Sequence, residues 1–137
     1  MNRPKIVCLI GSSRFVDVMA VCAWFIERDE HAIALTLHLL PGWYSEEQIP
    51  GHLAEHEGCA AAMDELHLRK IDLSHEVFLV DANAYVGEST QRELDYTLEK
   101  GKPVRRFLTD PIGEAVRERI AEYIERLGQK QDLETLK

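Results

Sequence analysis

The fold turns on EVFLVDANAYVGESTQREL, residues 76–94. Its first six residues form an apolar run, short for a helix and closed by Asp81, so they read as a buried strand. Turn residues follow. From Ser89 the spacing predicts a helix to Lys100, stopped by Gly101 and Pro103. A buried strand passing through a short polar turn into a helix is a building unit of a parallel sheet. The same stretch poses a chemical question. Gly87, Glu88, Ser89, Thr90 and Glu93 suit either a helix cap or a reactive site.

Working outward, KIVCLIG (5–11) is a second apolar run and ends in glycine, so it too reads as a buried strand. Phe15 to Asp29 follows as a helix, with Val18, Met19, Cys22, Phe25 and Ile26 at helical spacing. HAIALTLHLL (31–40) reads as a strand and PGWYSEEQIPG (41–51) as a loop. A helix is expected from His52 to about Asp72, with Leu53, Cys59, Met63, Leu66 and Ile71 sharing a face. PVRRFL (103–108) is a further strand and Ile112 to Leu127 an amphipathic helix, with 128–137 expected to fray. The order β-α-β-α-β-α-β-α predicts one α/β domain over 1–137. Its core is a flavodoxin/Rossmann-like parallel sheet of four or five strands, with helices on both faces. Such sheets bind ligands at the carboxyl ends of their strands, near the point where the strand order reverses.

With 137 residues and 45% apolar content, the chain can bury a core without covalent staples. A formal net charge of −8 does not suit long nucleic acid, whose binding rests on phosphate neutralisation. It is compatible with a single nucleotide, which needs only a local set of donors. Cys8, Cys22 and Cys59 are scattered, with no CxxC, and read as reduced thiols of a cytoplasmic protein. MNRPKIVCLIG reads as a strand rather than a signal peptide, and no apolar run reaches transmembrane length.

Several groups of residues can carry chemistry. GSSRF (11–15) ends the first strand: Gly11 permits a tight turn, and Ser12 or Ser13 can cap the next helix. A helix N-terminus attracts phosphate, and Arg14 can add a bidentate contact. The alternative is a capped helix with a surface arginine. Asp81, Asn83, Tyr85, Gly87, Ser89 and Thr90 fall at the same sheet edge, which makes one polar crevice. T-x-x-E over Thr90–Glu93 is the spacing of a capping box, which would also aim the Glu93 carboxylate toward that crevice. HLAEH (52–56) has the H-x-x-E-H form of an inverted zinc-hydrolase pattern, set against a plain solvated helix face. Trp43 and Tyr44 can stack on a base, form a lid, or cover the core or a dimer contact. His67 and His75 flank the approach to the third strand.

GSSRF together with DELHLRKIDLSHEVFLVDANAYVGESTQRELDYTLEKGKPVRRF (64–107) resembles small bacterial and phage proteins related to nucleoside 2-deoxyribosyltransferases. Nucleotide N-glycoside hydrolases belong to the same superfamily. The resemblance implies cleavage of the bond between a nucleobase and C1′ of a (deoxy)ribose. A glutamate nucleophile would act through a glycosyl-enzyme ester, and Glu93 stands at its position. It implies that Gly11, Ser12, Arg14, Gly87 and Ser89 hold a 5′-phosphate, with Tyr85 nearby. His67 stands where the superfamily carries an acidic residue, with Asp64 one turn away; either can assist the leaving base. His75 stands where close relatives often carry aspartate. The segment LPGWYSEEQIPG (40–51) departs from the usual pattern, so base identity does not transfer. The resemblance further implies a homodimer, a nucleoside or nucleotide ligand, and no metal or organic cofactor. Two alternatives stand beside it: a non-catalytic nucleotide-binding module in which Glu93 is only a cap, and a zinc hydrolase using HLAEH.

Overall fold

A computed structural model describes residues 3–45 and 53–135, with side chains described except those of Leu53, His56 and 129–135. Four strands form the sheet: β1 (Ile6–Gly11), β2 (Ile33–Leu35), β3 (Glu76–Val80) and β4 (Val104–Arg106). Their order is β2-β1-β3-β4, and every pair is parallel. The helices are α1 (Val16–Glu30), α2 (Gly42–Ser45), α3 (Leu53–His56), α4 (Ala60–Leu73), α5 (Glu88–Glu99) and α6 (Pro111–Thr135). This is the expected flavodoxin/Rossmann-like α/β fold.

The two central strands are buried on both sides, so their alternate residues feed two cores. Val7 and Leu9 of β1 and Phe78 and Val80 of β3 pack with Met19, Cys22, Phe25 and Ile26 of α1 and Ile112 and Val116 of α6. Cys8 and Ile10, with Val77 and Leu79, pack on the other side with Ile71 of α4 and Leu94 of α5. Chain connection from β1 runs to β2 on one side while β3 pairs on the other. The strand order therefore reverses at the β1–β3 seam, where Gly11 lies opposite Val80.

Several boundaries differ from expectation. The second strand is only three residues long, because it lies at the sheet edge, where Ile33 is exposed. The expected helix from His52 breaks at Glu57–Cys59, where Gly58 takes a left-handed φ of 72°. The α4 face is rotated relative to the expected one: His67 and Ile71 are buried, whereas Leu66 is 51% exposed. At the C-terminus the backbone stays helical to Thr135, past the expected stop at Leu127. Trp43 is 71% exposed and does not cover the core; it meets Tyr44 edge-on, and the Tyr44 hydroxyl donates to Glu57.

Polar residues fasten the elements. Arg105 of β4 reaches Glu30 at 2.6 Å, Glu76 at 3.0 Å and Asp110 at 2.8 Å. The Asp110 carboxylate also accepts from the Ile112 amide at the start of α6. His75 accepts the Ile6 amide on Nδ1 at 2.9 Å, which gives it a structural use at the start of the sheet. Lys102 Nζ donates to the carbonyls of Ile71, Asp72 and Ser74 and so holds the end of α4.

Burial pushes the thiols of Cys8 and Cys22 up to about 12, the Glu93 charge adding to the shift at Cys8 and that of Asp110 at Cys22. Since the thiolate is the reactive form, a maleimide at about pH 8 should label half-buried Cys59 and spare both until denaturant is added. Fast labelling of native Cys8 would contradict this. Burial opposes the charge on Asp110, but the Arg105 guanidinium and the Ile112 amide outweigh it and hold the carboxyl below its usual value. A depressed folded value stabilises above the unfolded pKa of about 3.9 and is lost as pH falls through the folded value. Arg105→Met should cost about 2 kcal/mol near neutrality, allowing for partial exposure. In urea titrations the gap to wild type should narrow below about pH 4.

Candidate functional site

The β1–β3 seam gathers the turn after each strand. Gly11 is the last residue of β1. Its φ is unremarkable, and a Cβ there would lie 3.1 Å from Met19 Cε, Val80 Cβ and the Val80 carbonyl. Close packing rather than turn geometry therefore disfavours a side chain here. Ser12 caps a single 3₁₀ turn over Ser13–Phe15, accepting from the Arg14 amide at 3.2 Å. It does not cap α1, whose N-cap is Phe15 with no side-chain bond. The Arg14 guanidinium lies 4.4 Å from the centre of the Tyr85 ring, and Phe15 meets the same ring edge-on. The Tyr85 hydroxyl passes 3.3 Å from where a Gly87 Cβ would stand. Tyr85 thus joins the turn after β1 to the start of α5.

The turn after β3 carries strain. Asn83 and Ala84 have φ of 56° and 58°, conformations that cost non-glycine residues about 1–3 kcal/mol each. Both are exposed. Asp81 is taken up internally: Oδ1 accepts the Leu108 amide at 3.1 Å, and Oδ2 lies 3.8 Å from Arg106.

The capping-box expectation is overturned. Gly87 is the N-cap of α5, so Glu88, Ser89 and Thr90 already lie in the first turn and no side chain caps it. Thr90 is 3% exposed and starts the buried stripe Thr90, Leu94 and Thr97. Glu93 sits in the second turn, too far along to reach the N-cap amide. Two helices, α1 and α5, therefore begin near Tyr85 without side-chain caps, and their first amides favour an anion.

Glu93 instead faces α4. Its Oε2 lies 2.8 Å from Nε2 of His67, with side-chain exposures of 15% and 5%. The contact is off the line that an N–H···O bond requires. Among the described residues neither His67 nitrogen nor Glu93 Oε2 has a partner in good hydrogen-bond geometry, although all three atoms are buried and Nε2 and Oε2 are themselves in contact. Such orphaned groups are costly and rare in cores. The pair borders a cleft of about 180 Å³ between α4 and α5, lined by Asp64, Leu68, Ser89, Arg92, Glu93 and Tyr96. Asp64, Ser89 and Glu93 are thus brought together, with His67 beside them. The first turn of α5 links the Tyr85 turn to this cleft, since Gly87 is the N-cap of α5 and Ser89 lines the cleft.

Arg92 escaped the sequence reading. Its guanidinium donates to the Ser89 hydroxyl at 3.1 Å and forms no ion pair among the described residues. Its adjacency to Glu93 was the available signal. For HLAEH, His52 and the His56 side chain lie outside the described residues, and among those described no three ligands cluster for a metal. No helix among them is long and apolar enough to cross a membrane. Comparison with protein-family models, curated proteins and solved structures gives no match.

A buried pair kept for chemistry should not be needed for stability. Replacing both His67 and Glu93 by leucine should leave the urea midpoint unchanged or raise stability by about 1–2 kcal/mol. A loss of several kcal/mol in the double variant would mean that the pair is a structural bond.

Proposed function

We propose that this protein cleaves the N-glycosidic bond of a nucleoside or nucleoside 5′-monophosphate, with Glu93 as the nucleophile. The observation that carries the reading is the buried, unsatisfied Glu93–His67 pair at a cleft beside the strand-order reversal. Among the described residues the Glu93 carboxylate is held only by the His67 contact, and it lines the cleft where a sugar carbon can reach it. An imidazole 2.8 Å away can supply and recover a proton.

In the first step Glu93 attacks C1′ and the C1′–N bond breaks. Its electron pair goes to the base nitrogen, which takes a proton from the His67 imidazolium. In the second step water adds to C1′ as the glutamyl ester breaks, and neutral His67 takes the water's proton. A second base in place of water would give transfer instead. Asp64 faces the same cleft and is suited to accept from sugar hydroxyls. The uncapped starts of α1 and α5 suit the anionic end of a nucleotide. The resemblance over 64–107 supports the same reaction and carries a homodimer with it.

Incubating the protein with ribo- and deoxyribonucleosides and their 5′-monophosphates, and following free base by chromatography, tests this. Glu93→Ala should slow base release about a thousandfold or more. Release as fast as wild type would show the mechanism to be wrong. Nucleotide binding by calorimetry with no base release would put a binding module in its place.

A further inference from the structure

We infer that the distal half of α6 pairs with the same segment of a second copy of this chain. The two helices run antiparallel about a two-fold axis near Tyr123 and Ile124. The inference is independent of the proposed chemistry. α6 begins as a core helix, with Ile112 and Val116 buried against α1 and the sheet. The same stripe continues at Ile120, Tyr123, Ile124 and Leu127, at the three- and four-residue spacing that keeps side chains on one face. Among the described residues nothing covers this continuation. Every residue of 118–128 is exposed, and these four are 38–62% exposed. The helix thus carries its core-facing stripe about 16 Å past the body that the stripe was built to meet.

The pattern of the stripe identifies its occupant. The intervals between the four residues are three, one and three, which read the same in both directions. An antiparallel copy turned about the midpoint therefore sets Ile120 of one helix on Leu127 of the other, and Tyr123 on Ile124, each contact made twice. The charges agree. On the Tyr123 side the stripe is bordered by Arg119, Glu122 and Arg126, a row of alternating sign. None of the three makes an ion pair among the described residues. In the antiparallel pair Glu122 comes within one residue, about 1.5 Å along the axis, of Arg126 on the other helix. A parallel pair would face the row with Arg117, Ala121 and Gly128, which bring no carboxylate. Only a self-complementary surface can close a two-fold contact, and this one is complementary in both shape and sign. Four side chains per copy make a small interface, so the association is of the weak class.

Sedimentation equilibrium of the whole chain, from about 1 to 200 μM, tests the inference. Wild type should pass from monomer to dimer with a dissociation constant on the order of 10 μM. Ile124→Glu, at an exposed position, should weaken association about a hundredfold or more. Glu122→Arg and Arg126→Glu should each weaken it about tenfold, and the two together should restore it to within about threefold of wild type. A wild type that stays monomeric throughout would overturn the inference; if that monomer floats with phosphatidylglycerol vesicles, the stripe belongs to a membrane surface instead. A dimer that survives Ile124→Glu would place the contact elsewhere on the molecule. A double charge swap that fails to restore association would rule out the antiparallel register.

Discussion

Everything at the candidate site depends on how closely β1 and β3 approach each other at their carboxyl ends. Gly11 lies opposite Val80, and any side chain at 11 would press on Met19 and on the Val80 backbone. The close approach belongs to a register that runs from Val7 opposite Glu76 to Gly11 opposite Val80. The register in turn sets where the two turns emerge, side by side and on the ligand-binding edge of the sheet. Because both strands are buried on both faces, the same alternation that seats Leu9 against α1 seats Cys8 beneath α4 and α5. The charge of Glu93 adds to the shift at the buried Cys8 thiol, which puts the Glu93–His67 pair near the sheet.

What the sequence revealed of this follows from burial. KIVCLIG and EVFLVD are continuous apolar runs because strands buried on both faces need no polar side. The short β2 and the α3–α4 break were harder to read. HAIALTLHLL looks like a strand throughout, but an edge position supports only its first part, and Lys70 then takes the Thr36 carbonyl. Gly58 announced the break, yet the apolar spacing across it suggested continuity. Among site residues, Glu93, His67 and Asp64 were legible as a group only through the resemblance. Their meeting depends on how two helices pack face to face, which local spacing does not encode. Arg92 was missed for the same reason.

The T-x-x-E pattern shows how a local rule can misplace a residue. Thr90 and Glu93 have capping-box spacing, but the box requires Thr90 to stand outside the helix. With Gly87 as the N-cap, Thr90 is the third helical residue and joins the buried stripe Thr90, Leu94 and Thr97. Once Gly87 is the N-cap, Glu93 moves from a position facing its own amides to one facing a neighbouring helix. The earlier alternative, in which Glu93 merely caps, loses its geometry.

The rotation of α4 makes the same point from the other side. Leu66 is 51% exposed while its neighbour His67 is buried. Turning α4 by one residue would bury the leucine, worth roughly 1.5–3 kcal/mol, and would release the histidine to water. Ile71, fully buried on the same helix, opposes that turn, as do the bonds from Lys70 to Thr36 and from Lys102 to the end of α4. The fold therefore keeps an imidazole inside and a leucine outside, and meets that imidazole with an equally unsatisfied carboxylate. Two such costs at one contact do not help the chain fold. They are the costs expected where a protein reserves polar atoms for a ligand.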